Sequence, residues 1–480
     1  MNSSVLHNQV PAPRRAPRKV GLARVLRWGI PAGLVLGAVG HVSAIAATAI
    51  YIPLFLYVAF WQPRIALMVT FAIVPLVQVL PVHLPVHLDA ADFSMSMLLP
   101  ICLIKSAHLK RPIRVGPSLW PTLLYLFFCF LSTLPHFHPG SPAIPAFAQM
   151  VVYLVFATML CASFPGTTDD LIFALQGAVA FIAVFAVLFI GSHNHLPYED
   201  KNLWGEVFGS GFVMALEFWL AANLRGERGA KRWWLLALCL IAAGCLLCVS
   251  RGGWMEATIG SAIVLSMRRQ FRLVFRAALV VTPLILALWF TLPQAKQKYA
   301  FALGANNVDV QSRLVVIAQT WQNFENHPFF GKGIQIRKEI NAVNVFTVAL
   351  AESGVQGLAS FLLLQAVVLG LAWKVHRRLD PRDARFSLVT LGGALIVCRL
   401  VHGLVDFYWA RGALLWAWGA VGMLTVVYYE TRPGRRIQWL GGRAAHPDAA
   451  GAGVATGRAL EPGPISTSPV AGQQEEVNDG

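Results

Sequence analysis

Charge is scarce in this chain. Only 13% of its 480 residues are Asp, Glu, Lys or Arg, about half the share a water-soluble globular protein carries, and that shortage excludes an ordinary soluble domain. Cysteine is sparse too. Cys102, Cys129, Cys161, Cys239, Cys245, Cys248 and Cys398 all fall inside apolar runs, where they read as small packing residues. Cys245 and Cys248 have CxxC spacing, but they lie in a continuous apolar stretch without a second pair, so no redox or zinc site is expected. No cleavable signal peptide is expected, because the first apolar run follows a basic arm and lacks a small-residue cleavage site. No internal repeat is visible. The histidine spacings match no standard ligand motif, so neither a metal nor a cofactor is expected.

Apolar residues take the place of charge, at 56% of the chain. Runs of about twenty recur from Trp28 to Tyr429. They lie near 28–61 (two short helices broken at Gly40-His41), 65–82, 93–107, 118–135, 144–162, 170–191, 204–223, 232–250, 252–267, 274–292, 344–374, 386–404 and 409–428. The pattern predicts an all-α polytopic transmembrane helical bundle of about 12–14 spans. The net charge of +16 sits in short connections: Lys105–Arg114, Arg225–Arg232, Arg268–Arg276 and Lys374–Arg385. Such clustering fits the positive-inside bias and not a nucleic-acid face. Both termini are therefore expected in the cytoplasm, with residues 293–343 on the opposite side. Residues 1–27 form a basic arm and 429–480 a Gly/Ala/Pro/Ser-rich tail, both expected to be disordered. Between them lie N-terminal spans (28–199) and a second transmembrane region (200–428).

Residues 293–343 are the longest polar insert between apolar runs, and loops beyond about 12–15 residues are usually functional or disordered. Here Asp309 or Ser312 is suited to cap a helix running to about Phe324. Leu314, Ile317, Trp321 and Phe324 recur on one face, suited to a membrane surface or to other spans. His327-Pro328 ends that helix. The loop is thus expected to be partly helical.

Several groups near this side are suited to chemistry. Ser250-Arg251-Gly252-Gly253-Trp254 forms a tight turn at which Arg251 stands beside a helix N-terminus, a ready anion site; the bland reading is an interfacial Arg reaching headgroups. Arg313 is a second anion contact or a solvated cation. Gly331-Lys332-Gly333 suits a phosphate, with backbone N–H groups beside an ammonium. Glu352, at the start of a long helix, is a helix-end charge or a base. His402 and Asp406 fall at the next outer turn with Arg399 and Arg411 nearby, either as an Arg–Asp pair or as the lining of an outward cavity. Most other histidines (His41, His83, His87, His136, His138, His193, His195 and His327) also fall on the outer side.

Four segments, in this order, resemble the O-antigen ligase/polymerase family of bacterial inner-membrane proteins: Ser250–Trp254; Ser312-Arg313…Trp321…His327-Pro328-Phe329-Phe330-Gly331-Lys332-Gly333; Leu350-Ala351-Glu352-Ser353-Gly354-Val355-Gln356-Gly357; and His402…Asp406. The likeness covers roughly 200–425, while the first half matches in hydropathy alone. It implies a multi-pass protein of the inner membrane that performs metal-independent glycosyl transfer on the periplasmic face. The donor is a glycan on undecaprenyl pyrophosphate; the acceptor is lipid A-core (ligase) or a second lipid-linked glycan (polymerase). Membrane lipids are the remaining partners, and no nucleic acid is. The family's two arginine motifs carry over to Arg251 and Arg313, with Lys332 as a further pyrophosphate contact.

One departure stands out. Active ligases of this family have a His-Asn pair ahead of the Leu-Ala-Glu segment, and here it falls on Val343-Asn344. Valine takes no proton. Three outcomes follow: His327, Glu352 or His402 serves as base; the activated donor needs no strong base; or transfer has been lost. The competing class is a non-catalytic family member or a small-solute, bicarbonate-like transporter.

Overall fold

The computed structural model describes residues 43–75, 90–108, 113–164 except 139, 168–192, 201–273, 308–334, 343–405 and 414–431, with isolated positions between 22 and 39 and at 279 and 336. Helices dominate the described residues, and no strand occurs among them. In chain order they are α1 (Ala44–Trp61), α2 (Pro63–Ala72), α3 (Ala90–His108), α4 (Leu119–Thr133), α5 (Ala143–Ser163), α6 (Thr168–Gly191), α7 (Lys201–Leu224), α8 (Arg228–Leu247), α9 (Arg251–Met267), α10 (Val308–Asn326), α11 (Val345–His376), α12 (Ala384–His402) and α13 (Leu414–Glu430). Eight of these are long and apolar enough to cross a membrane, and α1 and α2 add shorter apolar helices. The fold is an all-α polytopic helical membrane protein. Apart from isolated positions and the last turn of α13, the expected span at 274–292, the basic arm and the Gly/Ala-rich tail lie outside the described residues.

Side-chain caps start the helices that matter to the site. Ser250 Oγ accepts from Gly253 N at the head of α9, Asn344 Oδ1 accepts from Phe346 N and Thr347 N at the head of α11, and Asp383 caps α12 through Arg385 N. Each satisfies an orphan donor of a first helical turn and is worth about 1 kcal/mol. A six-residue π-turn, Val152–Ala157, interrupts α5, next to the point where Thr158 reaches the Trp418 carbonyl of α13 at 3.3 Å.

Helices α7 and α12 occupy the interior: 78% of each span is buried within the protein, against 17% of α8. Helix α9 packs on both, α8 packs on α7, and α11 packs on α4 and α12. A helix shielded from lipid can carry polar groups at membrane depth if they are paired, and α7 and α12 carry most of those found here. The first ends of α7, α9 and α11 meet the last turn of α12 at one end of the bundle. Gly205 lies against Ser250, Gly252 against the His402 ring, and Val345 N donates to Gly403 O at 2.7 Å. At the opposite end, Arg268 after α9 pairs with Glu217 of α7 and bonds Ser387 Oγ (3.1 Å) and the Pro381 carbonyl, with its guanidinium 4.4 Å from the Phe386 ring.

The helix expected to begin after Asp309 or Ser312 instead contains both, since α10 already runs from Val308. An acidic residue is stabilised inside a first turn by the helix dipole as readily as ahead of it. The inward stripe of α10 is Arg313, Val316, Ile317, Thr320 and Phe324, while Leu314, Val315 and Trp321 face outward. The predicted apolar face is therefore divided between the two sides.

Candidate functional site

The site is built where α7 and α9 approach most closely. A Cβ on Gly253 would stand 2.4 Å from the Gly205 carbonyl oxygen, and one on Gly209 would stand 2.9 Å from a Glu256 carboxylate oxygen. Gly205 and Gly209 form a small-x-x-x-small stripe of the kind that lets membrane helices touch backbone to backbone. The glycines of Arg251-Gly252-Gly253 do the same from α9. They do not make the turn tight: both lie within the helix, and the left-handed position of that turn falls on Val249, at φ 52°. A β-branched residue held there costs about 1–3 kcal/mol. Trp254 Nε1 closes the turn by donating to Cys245 O at 2.8 Å.

This close packing encloses four ionisable side chains. Glu206 of α7 pairs with Arg399 of α12, and both are buried. Glu256 of α9 faces His402, with its Oε1 3.3 Å from His402 Nδ1 and the two side chains 0% and 1% exposed. The other Glu256 oxygen accepts from Ser210 Oγ at 3.3 Å. Arg399 therefore balances Glu206; the Arg–Asp pair offered by the sequence involves Asp406 and Arg411, which lie outside the described residues. Distance along the chain is irrelevant here, because α7 and α12 are packed side by side.

The sequence-predicted residues divide into two groups. Arg251, half-buried at the first position of α9, adjoins Gly252, whose Cβ would stand 2.8 Å from His402 Cε1. Among the described residues the Arg251 side chain makes no hydrogen bond or ion pair. Arg313 of α10 donates to the Val405 carbonyl, three residues past His402, and its charge acts on the His402 ring together with that of Arg399. Arg313 and His402 are thus brought together, and Arg251 precedes the glycine that packs on the His402 ring.

The second group lies at a break in α11. Gly354 has φ 68° and ψ −167°, outside the helical region. The backbone groups this frees are taken up by the loop after α10: Lys332 N donates to Ala351 O (2.7 Å), Gly333 N donates to Glu352 O (2.9 Å), and the freed Val355 N donates to Pro328 O (2.9 Å). The Lys332 and Gly333 amides are accordingly committed to α11, which corrects the expectation that they are open to a phosphate. A kinked helix in a buried setting must find donors for its freed carbonyls, and this demand outweighs the nest geometry. Glu352 is buried at the kink, Lys332 is half-buried, and His327 is exposed at the end of α10.

Val343 is half-buried and Asn344 is the α11 cap. Asn344 Nδ2 also donates to Leu404 O at 3.0 Å, so the Val343-Asn344 segment is stitched to the residues directly after His402. Of the other histidines expected on the outer side, His136 and His138 follow α4, and His41, His83, His87, His193 and His195 lie outside the described residues.

Glu206 and Glu256 were missed from sequence. The signal was present: a carboxylate inside an apolar run is a functional-site hypothesis by default, and Gly205-Glu206-Val207-Phe208-Gly209-Ser210 places one within a helix-contact stripe. Among the described residues no group of three His, Cys, Asp or Glu side chains is placed to hold a metal ion.

The fold and the site define a multi-pass helical membrane protein with a buried ionisable cluster at one end of its bundle and cations beside it. Residues 235–368 match the family model described as O-Antigen ligase, a segment that takes in most of α8, all of α9 and α10, and α11 past its kink. Over that segment the chain is similar to O-antigen ligases. No curated protein matches the chain.

Proposed function

We propose that the chain transfers a glycan from undecaprenyl pyrophosphate to a hydroxyl of lipid A-core or of a second lipid-linked glycan. The reaction takes place at the periplasmic face of the inner membrane, on the bundle end that holds Arg251, Arg313 and His402, with both termini in the cytoplasm. Breaking the sugar–phosphate bond leaves charge on the pyrophosphate, and fixed cations stabilise that charge as it develops. The observation that carries the reading is the position of Arg251 and Arg313. They come from two different helices; Arg313 bonds the Val405 carbonyl, and Arg251 directly precedes Gly252, which packs on the His402 ring. Arg251 also sits at a helix N-terminus, where backbone amides favour the same anion. The chemistry requires no metal.

The test is a chromosomal deletion complemented with wild type, Arg251→Ala or Arg313→Ala, with surface polysaccharide run on gels and lipid-linked intermediates measured alongside. Removing one such electrostatic contact costs about 10²–10³ in rate, so both variants are expected to lose product at normal protein levels. Single repeats on lipid A-core after deletion identify a polymerase; long chains stranded on the carrier identify a ligase. Product retained in both variants overturns the pyrophosphate clamp, and unchanged glycans after deletion shift the assignment to transport or to a non-catalytic role.

A further inference from the structure

The bundle end opposite the His402 turn gathers cations of two kinds. Arg268, the cap residue of α9, is matched by Glu217, and Arg385 by Asp383. Arg269, Lys374, Arg377 and Arg378 differ. All four are exposed, and among the described residues none has an acidic partner. Aromatic packing draws them to one place. The Arg268 guanidinium lies 4.4 Å from the Phe386 ring, which lies 4.9 Å from the His376 ring, itself 6.0 Å from the Trp373 ring. The end of α9, the first turn of α12 and the last turn of α11 therefore share one row of side chains. Arg269 follows Arg268 at one end of the row; Lys374 and Arg377 adjoin Trp373 and His376 at the other. The charges of Arg268 and Arg269 both act on the His376 ring, so Arg269 lies close to the last turn of α11.

Arg269 stands where a helix end usually has glycine. Gln270 N donates to Leu265 O at 2.8 Å and Arg269 N to Ser266 O at 3.0 Å. These two bonds close α9 in a turn whose left-handed residue is most often glycine. Arg269 occupies that position at φ 55°. An L side chain held there is strained, and strain of this kind persists where the side chain has work to do. Complementing the helix dipole is not that work, because Arg268 already stands at the negative end of α9.

We propose that Arg269, Lys374, Arg377 and Arg378 hold the phosphodiester headgroup of one anionic glycerophospholipid. Guanidinium groups suit phosphate oxygens, and basic sites between membrane helices bind such headgroups. A free phosphate would use the cations alone, whereas a lipid also uses what lies beside them. Phe271, two residues after Arg269, and Trp373, directly before Lys374, are exposed aromatics of the kind found at a membrane boundary. From Trp373 the exposed face of α11 continues through Gly370, Ala366 and Leu362, an apolar wall for acyl chains. With the termini in the cytoplasm, this end meets the leaflet whose surface is negative. The site is separate from the Arg251 and Arg313 end and does not depend on the reaction carried out there.

The experiment is native mass spectrometry of the full chain in detergent, titrated with phosphatidylglycerol or with phosphatidylethanolamine. Wild type is expected to retain one phosphatidylglycerol in clear preference to phosphatidylethanolamine. A cation beside an anionic headgroup is worth about fivefold in affinity, so Arg269→Gly and Arg377→Gln should each weaken phosphatidylglycerol by about that factor, and the double variant by more. Arg269→Gly also removes the left-handed strain, so its thermal midpoint in lipid-free detergent should not fall. Weaker binding by a fold at least as stable separates a lost contact from a lost structure. Arg228→Gln, at an exposed cation on the head of α8 at the same end of the bundle, should bind as wild type does. If the two lipids bind alike, or if Arg228→Gln weakens binding as much as Arg269→Gly, the cations act as a diffuse positive field and the proposal is overturned. Wild-type affinity in the Arg269→Gly, Arg377→Gln double variant overturns it as well. Inorganic phosphate at millimolar concentration should leave the lipid in place; displacement by it assigns the site to a soluble phosphate and overturns the lipid.

Discussion

Gly354→Ala isolates the physical basis of the kink in α11. At φ 68° and ψ −167° the backbone lies in a region open essentially to glycine, and an L-residue held there costs about 1–3 kcal/mol. The new Cβ would also stand 2.1 Å from the Phe329 carbonyl oxygen, so the docked loop must move away. Moving it breaks the bonds from Lys332 N, Gly333 N and Val355 N, each worth about 1 kcal/mol net. The expected loss is about 4–6 kcal/mol overall, concentrated in residues 327–334 because the rest of α11 keeps its own hydrogen bonds. Hydrogen exchange of the full chain in detergent reads this directly: the Lys332 and Gly333 amides should lose most of their protection while α7 and α12 keep theirs. Gly370→Ala is the control on the same helix. A Cβ there meets nothing within 4 Å, and alanine is the better helix former by about 1 kcal/mol, so that variant should be as stable as wild type or more so. Unchanged protection of Lys332 and Gly333 in Gly354→Ala would refute the account of the kink.

Two further expectations concern the opposite end of the bundle. Glu217→Gln leaves Arg268 as a buried cation without its carboxylate, and breaking one side of such a pair costs about 3–5 kcal/mol; a thermal scan in detergent that shows no drop would contradict this. Asp383→Ala removes the α12 cap and should cost about 1 kcal/mol, read as a small drop in thermal midpoint. The Arg385 hydrogen bonds hold the Asp383 carboxyl below its usual range. A depressed folded value means the stabilisation is fully present above about 3.9 and is lost as pH falls through the lower folded value. The wild-type advantage over Asp383→Asn should therefore persist at neutral pH and vanish in strong acid.

Much of this protein was legible in its sequence because the membrane imposes a one-dimensional rule. Backbone groups in hydrocarbon must be satisfied within the segment, so apolar runs become helices, and scarce charge together with runs of twenty residues marks a polytopic bundle. The resemblance to O-antigen ligases, matched at residues 235–368, was legible for a related reason: the residue types that carry it stand in a set order along the chain. What the residues do to one another was not legible. That Gly252 and Gly253 serve helix contact, that the Lys332 and Gly333 amides belong to the α11 kink, and that Arg399 pairs with Glu206 and Glu256 with His402 all depend on which helices lie side by side. Hydropathy says that a helix is buried but not against what. Only packing α7, α9 and α12 together places four ionisable groups, drawn from positions 206 to 402, in one enclosed volume where each charge must find its counterpart.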